Sequence, residues 1–102
     1  MEILREIKEE VIAIEPEAEI YLFGSRARGT HSDDSDWDVL ILLPETSDYK
    51  LKKRILEKLY DIEIKFSSLF NIIFRKFSTW RNDKVFQITP FYQSVVKDYK
   101  KL

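Results

Sequence analysis

The chain has no cysteine, which excludes a disulfide framework, a thiolate metal site and a cysteine nucleophile. Proline occurs three times and glycine only twice, where average usage would give roughly seven glycines. Both glycines, Gly24 and Gly29, fall in one short stretch, so backbone freedom is concentrated at a single place. Charge of one sign is also missing in aggregate. The 17 basic and 18 acidic residues leave a net charge of -1, unlike the strongly basic balance of a nucleic-acid binder. The longest unbroken apolar run, Val39 to Leu43, is too short to cross a bilayer, and the opening MEILREIKEE is too charged for a signal peptide. These absences lead to the expectation of a cytoplasmic protein with no membrane partner. A length of 102 residues with 44% hydrophobic positions predicts a single domain over residues 1–102.

The near-neutral total hides an asymmetry. Residues 1–44 carry 4 basic and 11 acidic side chains, a sum of -7, whereas residues 45–102 carry 13 and 7, a sum of +6. Two solvated helical faces of opposite sign account for this; the sharper alternative is a protein partner or anionic ligand beside the basic half. A single-stranded nucleic acid would need a compact basic and aromatic motif, which the basic half does not show.

Ile3, Ile7, Val11 and Ile14 make one apolar stripe among charged residues, which predicts a helix ended by Pro16. Glu19 to Phe23 predicts a short strand running into Gly24, and a polar stretch, Ser25 to Ser35, leads to a strongly apolar strand, WDVLILL, stopped by Pro44. Leu51, Ile55, Leu59, Ile62 and Phe66 form the buried stripe of a helix from Asp48 to about Phe66, and Leu69 to Phe74 predicts a third strand. Thr89-Pro90 opens a last helix, with threonine as N-cap and Phe91, Val95, Tyr99 and Leu102 as its apolar face. The final stretch FYQSVVKDYKKL either covers the sheet or offers an apolar face to a partner, and Phe66, Phe70, Phe74, Phe77 and Trp80 are assigned to the core. The order helix, strand, strand, helix, strand, helix gives an α+β fold, a small mixed β-sheet covered by helices.

The chemistry lies in GSRARGTHSDDSDWD, residues 24–38. If Ser25 opens a short helical turn, its hydroxyl and the free N–H groups there make an anion site. Gly24 and Gly29 let a ligand approach the backbone, and Arg26 and Arg28 can add charge-assisted hydrogen bonds to a phosphate. An ordinary glycine-bearing turn with solvated arginines explains the same residues. Asp36 and Asp38 are two apart at the start of a strand, so their carboxylates share one face and repel. A Mg²⁺ ion, a hard cation held by carboxylates and substrate phosphates, would offset that repulsion. A solvated strand edge is the plainer alternative for the pair taken alone. Phosphate cradle and carboxylate pair together form a layout for a nucleoside triphosphate with its metals. His31, the single histidine, sits in the polar loop and is assigned to solvent.

Gly-Ser-x-x-x-Gly followed by Ser-Asp-x-Asp resembles the signature of the polymerase-beta-type nucleotidyltransferases, with its tight core over residues 20–43. The small size resembles the minimal nucleotidyltransferases of bacteria and archaea. The resemblance implies the nucleotidyltransferase fold, Gly24 and Ser25 at the triphosphate of an ATP substrate, and Asp36 and Asp38 as catalytic ligands of two Mg²⁺ ions. It further implies an antitoxin whose partner is a helical HEPN-type toxin, modified by transfer of AMP to a tyrosine. Active members carry a third carboxylate on the next strand, where this chain has Asn71; asparagine is uncharged and no base. Asp61 and Glu63, the nearest upstream acids, fall on the predicted second long helix. A catalytically weakened protein that neutralises its partner by contact alone is therefore the competing expectation.

Overall fold

In the computed structural model, which describes residues 1–102, the first apolar stripe forms α1 (Glu2–Ile14), with Ile3, Ile7 and Val11 buried. β1 (Glu19–Phe23) runs directly into α2 (Gly24–Arg28), a single helical turn closed by Gly29 in the left-handed conformation. After the polar loop come β2 (Trp37–Leu43), α3 (Tyr49–Phe66) and β3 (Phe70–Lys76). Then follow α4 (Phe77–Asn82), α5 (Lys84–Gln87), α6 (Pro90–Asp98) and β4 (Lys100–Lys101).

The four strands form one mixed sheet in the order β3-β2-β1-β4. β1 is antiparallel to β2 and to β4, and β2 is parallel to β3. A parallel pair cannot be joined by a tight turn, and α3 supplies the crossover between β2 and β3. β2 has a paired neighbour on each side and is covered on both faces, which is why Val39 to Leu43 is a continuous apolar run, all of it buried. Trp37, Val39, Ile41 and Leu43 pack with α1 and α3 in one layer. Leu40 and Leu42 face the other layer, with Phe23, Trp80 and Val95.

That second layer is aromatic. Trp80 lies 4.8 Å from Tyr92 and 5.7 Å from Phe86, centroid to centroid. Phe91 meets Phe23 edge-on at 6.0 Å, and Tyr99 stacks on Tyr21 at 4.5 Å. The Tyr99 stack explains a departure from the predicted last helix. The helix stops at Asp98, Tyr99 turns extended onto Tyr21, and Lys100 and Lys101 pair with β1, whose outer edge would otherwise be open. The third strand also runs two residues beyond its predicted end, because Arg75 and Lys76 continue the ladder opposite Leu42 and Leu43. The residues between β3 and α6, given no element from the sequence, form the short helices α4 and α5. Asp83 caps α5 by accepting the Phe86 N–H.

β3 is an edge strand whose outward backbone is partly closed by side chains. The Trp37 N–H donates to the Leu69 carbonyl at 2.9 Å, so in the parallel ladder the even-numbered residues of β3 direct their backbone groups outward. Glu63 accepts the outward Phe70 N–H at 2.7 Å, and the Arg75 guanidinium donates to the outward Phe74 carbonyl at 2.7 Å. Such blunting hinders uncontrolled strand addition.

On β1, burial and then a hydrogen bond to Glu19 push the Tyr21 hydroxyl up to about 12. A raised folded value favours the neutral phenol, so this contribution to stability is complete below about pH 10. It is lost as the pH rises towards 12. Equilibrium urea unfolding over that alkaline interval should show stability falling with pH, and Tyr21→Phe should flatten that part of the slope.

Candidate functional site

The site begins where β1 meets β2. In their antiparallel register Phe23 lies opposite Asp38, so the next residue of the chain must turn away from a carboxylate. Gly24 does so at φ 72°, and a Cβ added to it would stand 2.0 Å from Asp38 Oδ2. Any side chain there would displace the Asp38 carboxylate and strain the left-handed backbone. α2 therefore starts against Asp38, and its N-terminal turn carries no side-chain cap, leaving the N–H groups of Gly24, Ser25 and Arg26 without an intrahelical acceptor.

On the other side of β2, Asp38 pairs in register with Asn71 of β3, whose Nδ2 donates to Asp38 Oδ1 at 3.1 Å. Asp36 is exposed just before β2, and strand alternation buries Trp37 while Asp38 remains half-buried on the opposite face. The structure thus brings Gly24, Ser25, Asp36, Asp38 and Asn71 to one end of the sheet. No group of three or more His, Cys, Asp or Glu side chains gathers close enough to hold a metal; beside Asp38, the third position is occupied by the Asn71 carboxamide.

The arginines are placed differently from each other. Arg26 Nε donates to the Ser35 carbonyl at 3.0 Å and Nη2 to the Asp33 carbonyl at 3.2 Å, while the guanidinium lies 4.0 Å over the Trp37 ring. Arg26 therefore holds the shape of the 30–36 loop, and the loop holds Asp36. Arg28 is exposed, 3.9 Å from Asp98 of α6. Gly29, at φ 78°, has open space around it and serves to close α2. His31 is exposed, as expected. Asp61 and Glu63 both lie on α3, as expected, and Glu63 is committed to the Phe70 N–H.

Two features of this region escape a sequence reading. The Arg26–Trp37 stack joins residues with no periodic relation, and the Asp98 partner of Arg28 comes from a distant helix. The acidic pair stands on an open shelf. The largest hollow, about 630 Å³, lies at the other end of the sheet, around Glu19, Glu45, Ser78 and Arg81. Two of its carboxylates, Glu45 and Glu19, already have partners. Ser78 donates its hydroxyl and N–H to Glu45, holding that carboxyl below the usual range. Tyr21 and Arg81 do the same for Glu19 against the opposing effect of burial.

The sequence profile of the nucleotidyltransferase domain family matches residues 4–101. A protein of Methanocaldococcus jannaschii described as a candidate protein adenylyltransferase is 35% identical over 79 residues, covering 74% of this chain and 80% of the relative. Among solved structures, a candidate nucleotidyltransferase superposes with a TM-score of 0.55 at 31% identity over 97% of this chain and 96% of the other. A toxin–antitoxin structure solved with AMP-PNP superposes with a TM-score of 0.64 at 24% identity, over 95% of this chain and 69% of that one. The last shares the α+β fold.

The two glycines should respond unequally to alanine. Gly29→Ala meets only the left-handed backbone penalty, about 1–2 kcal/mol. Gly24→Ala adds the collision with Asp38 and should cost at least about 1 kcal/mol more, as read by urea denaturation of the two variants side by side.

Proposed function

The chain belongs to the nucleotidyltransferase domain family, and from that membership we propose that it transfers AMP from ATP to a tyrosine hydroxyl of a partner protein, as the antitoxin of a pair with a HEPN-type toxin. The observation that carries the reading is the packing of the α2 turn against Asp38, where the absence of a Cβ at Gly24 leaves the carboxylate its place. Free N–H groups and carboxylate oxygens are thereby held side by side. Similarity to the candidate protein adenylyltransferase supports the reaction, and likeness of fold to a toxin–antitoxin structure supports the partner.

The donor set suits Mg²⁺: two aspartates two positions apart supply hard, anionic oxygens, and the Asn71 carbonyl supplies a weaker neutral one. Asp36 and Asp38 would hold two such ions, which neutralise phosphate charge and align the α-phosphate. Ser25 and the free N–H groups of α2 bind the β- and γ-phosphates, and Gly24 leaves room for their approach. Arg28 and Gly29 lie at the far end of that turn, where Arg28 reaches the triphosphate on leaving Asp98. Arg26 acts on the nucleotide through the loop it braces. The acceptor oxygen forms its bond to the α-phosphorus as the bond to the bridging oxygen breaks. Pyrophosphate leaves, and the acceptor proton passes to water in the absence of a third carboxylate.

Asn71 also favours a second reading. Its hydrogen bond to Asp38 spends one carboxylate oxygen on a neutral donor and leaves no base at that place, which suits a protein that neutralises its partner by contact alone.

Calorimetry separates the two. The chain should bind Mg–ATP, and the Asp36→Asn, Asp38→Asn double variant should bind it at least about tenfold more weakly, a loss of 1.4 kcal/mol or more. Equal affinity would remove the basis of the transferase reading. Asn71→Asp should melt lower than the parent in chelator, because like charges then face each other. It should regain that loss in Mg²⁺, with faster labelling of the partner from α-labelled ATP.

A further inference from the structure

Four large apolar side chains are exposed along one line at the outer flank of the molecule: Leu56 at 44%, Tyr60 at 61%, Ile64 at 62% and Leu69 at 67%. The first three recur every four residues on α3, away from its buried stripe of Ile55, Leu59 and Ile62. Leu69 continues the line past the helix cap. Its carbonyl accepts the Trp37 N–H at 2.9 Å, so the patch ends one residue from Asp36. Tyr60, Ile64 and Leu69 also wall a hollow of about 270 Å³, large enough for one apolar side chain. Clustered exposure of this kind marks an interaction surface more often than chance exposure does.

Charge selects the occupant. Glu57 and Glu63 flank the line on α3, and the loop that enters β2 at Trp37, the partner of Leu69, carries the exposed Asp33, Asp34 and Asp36. The cations of the same half of the helix turn away. Lys65 pairs with Glu6 of α1 at 2.9 Å, and Lys58 borders a hollow beside Glu6 and Glu10. Lysines enter only before Leu56, at Lys52 and Lys53.

We infer that this flank seats the acceptor segment of the partner protein, a stretch of apolar and basic side chains around the hydroxyl that receives AMP. One apolar side chain enters the hollow between Tyr60, Ile64 and Leu69. Basic side chains face Glu57, the Glu63 oxygen that Phe70 leaves free and the exposed Asp33 and Asp34, and the hydroxyl reaches round Leu69 to the acidic pair. The inference rests on the transferase reading for the role of the bound segment, while the binding itself is measured separately.

Two short fluorescent tyrosine peptides provide the probe, one with leucine and lysine around the tyrosine and the other with leucine and glutamate. By fluorescence anisotropy in Mg²⁺ and a non-hydrolysable ATP analogue, the lysine peptide should bind at least about tenfold more tightly. Tyr60→Ser combined with Ile64→Ser should weaken binding of the lysine peptide at least about tenfold. Both residues are exposed, so the melting temperature and the Mg–ATP affinity of the variant should match the parent. Equal affinity for the two peptides, or undiminished binding of the lysine peptide by the variant, overturns the inference. So does sedimentation showing a dimer that the variant dissociates, which would assign the flank to a second copy. Failure of the parent to bind Mg–ATP, with the peptide preference intact, would instead count against the transferase reading and leave the docking surface standing.

Discussion

The approach of the Gly24 backbone to the Asp38 carboxylate is the constraint on which the arrangement depends. An added Cβ would stand 2.0 Å from Asp38 Oδ2, so the strand must end in glycine and the helical turn must start there. The register that places Phe23 opposite Asp38 fixes one side, and the parallel register of Asp38 with Asn71 fixes the other. Both registers are held by β2, whose apolar residues are buried on both faces. A one-residue slip of β2 would turn Asp38 into the core and Trp37 out of it. The hydrophobic effect thus sets the position of a charged group with an accuracy that electrostatics alone would not provide.

What the sequence made legible follows from periodicity. The stripes of α1 and α3, the alternation around Trp37 and the uninterrupted run of β2 each have one packing solution, and the structure adopts it. The GSRARG and SDDSDWD segments were legible as a unit because their residue types are costly outside a site. The region from Phe77 to Gln87 was not. Its two helices are too short to show a 3.6-residue period, and they are held by aromatic contacts between residues far apart in the chain, such as Trp80 with Tyr92. The end of the chain misled for a related reason. Tyr99 continues the helical spacing of Phe91 and Val95, but stacking on Tyr21 and the open edge of β1 draw the backbone out of the helix. At the site, the carbonyls of Asp33 and Ser35 and the Trp37 ring surround Arg26, partners that its residue type alone does not disclose.

The opposite charges of the two halves of the chain meet at two places in the fold. Glu6 meets Lys65, and Glu19 meets Arg81. Each tie joins the acidic first half to the basic second half, on the outside of both layers. Exposed pairs of this kind contribute at most about 1 kcal/mol each, so their effect is on which faces meet more than on how tightly. Asp33, Asp34 and Asp36 form a further exposed acidic run in the loop before β2.

The two tryptophans divide between the layers, Trp37 beneath α1 and α3 and Trp80 among the aromatics of the opposite face. Each side of the sheet therefore has its own optical reporter. Trp37 carries the Arg26 cation 4.0 Å above its ring, so its emission is sensitive to the field of the loop that bears the aspartates. Trp80 is screened from that loop by the thickness of the sheet. A chain with Trp80 replaced by phenylalanine would sense ligand at the loop through one chromophore, and the reciprocal variant would follow the melting of the far layer through the other.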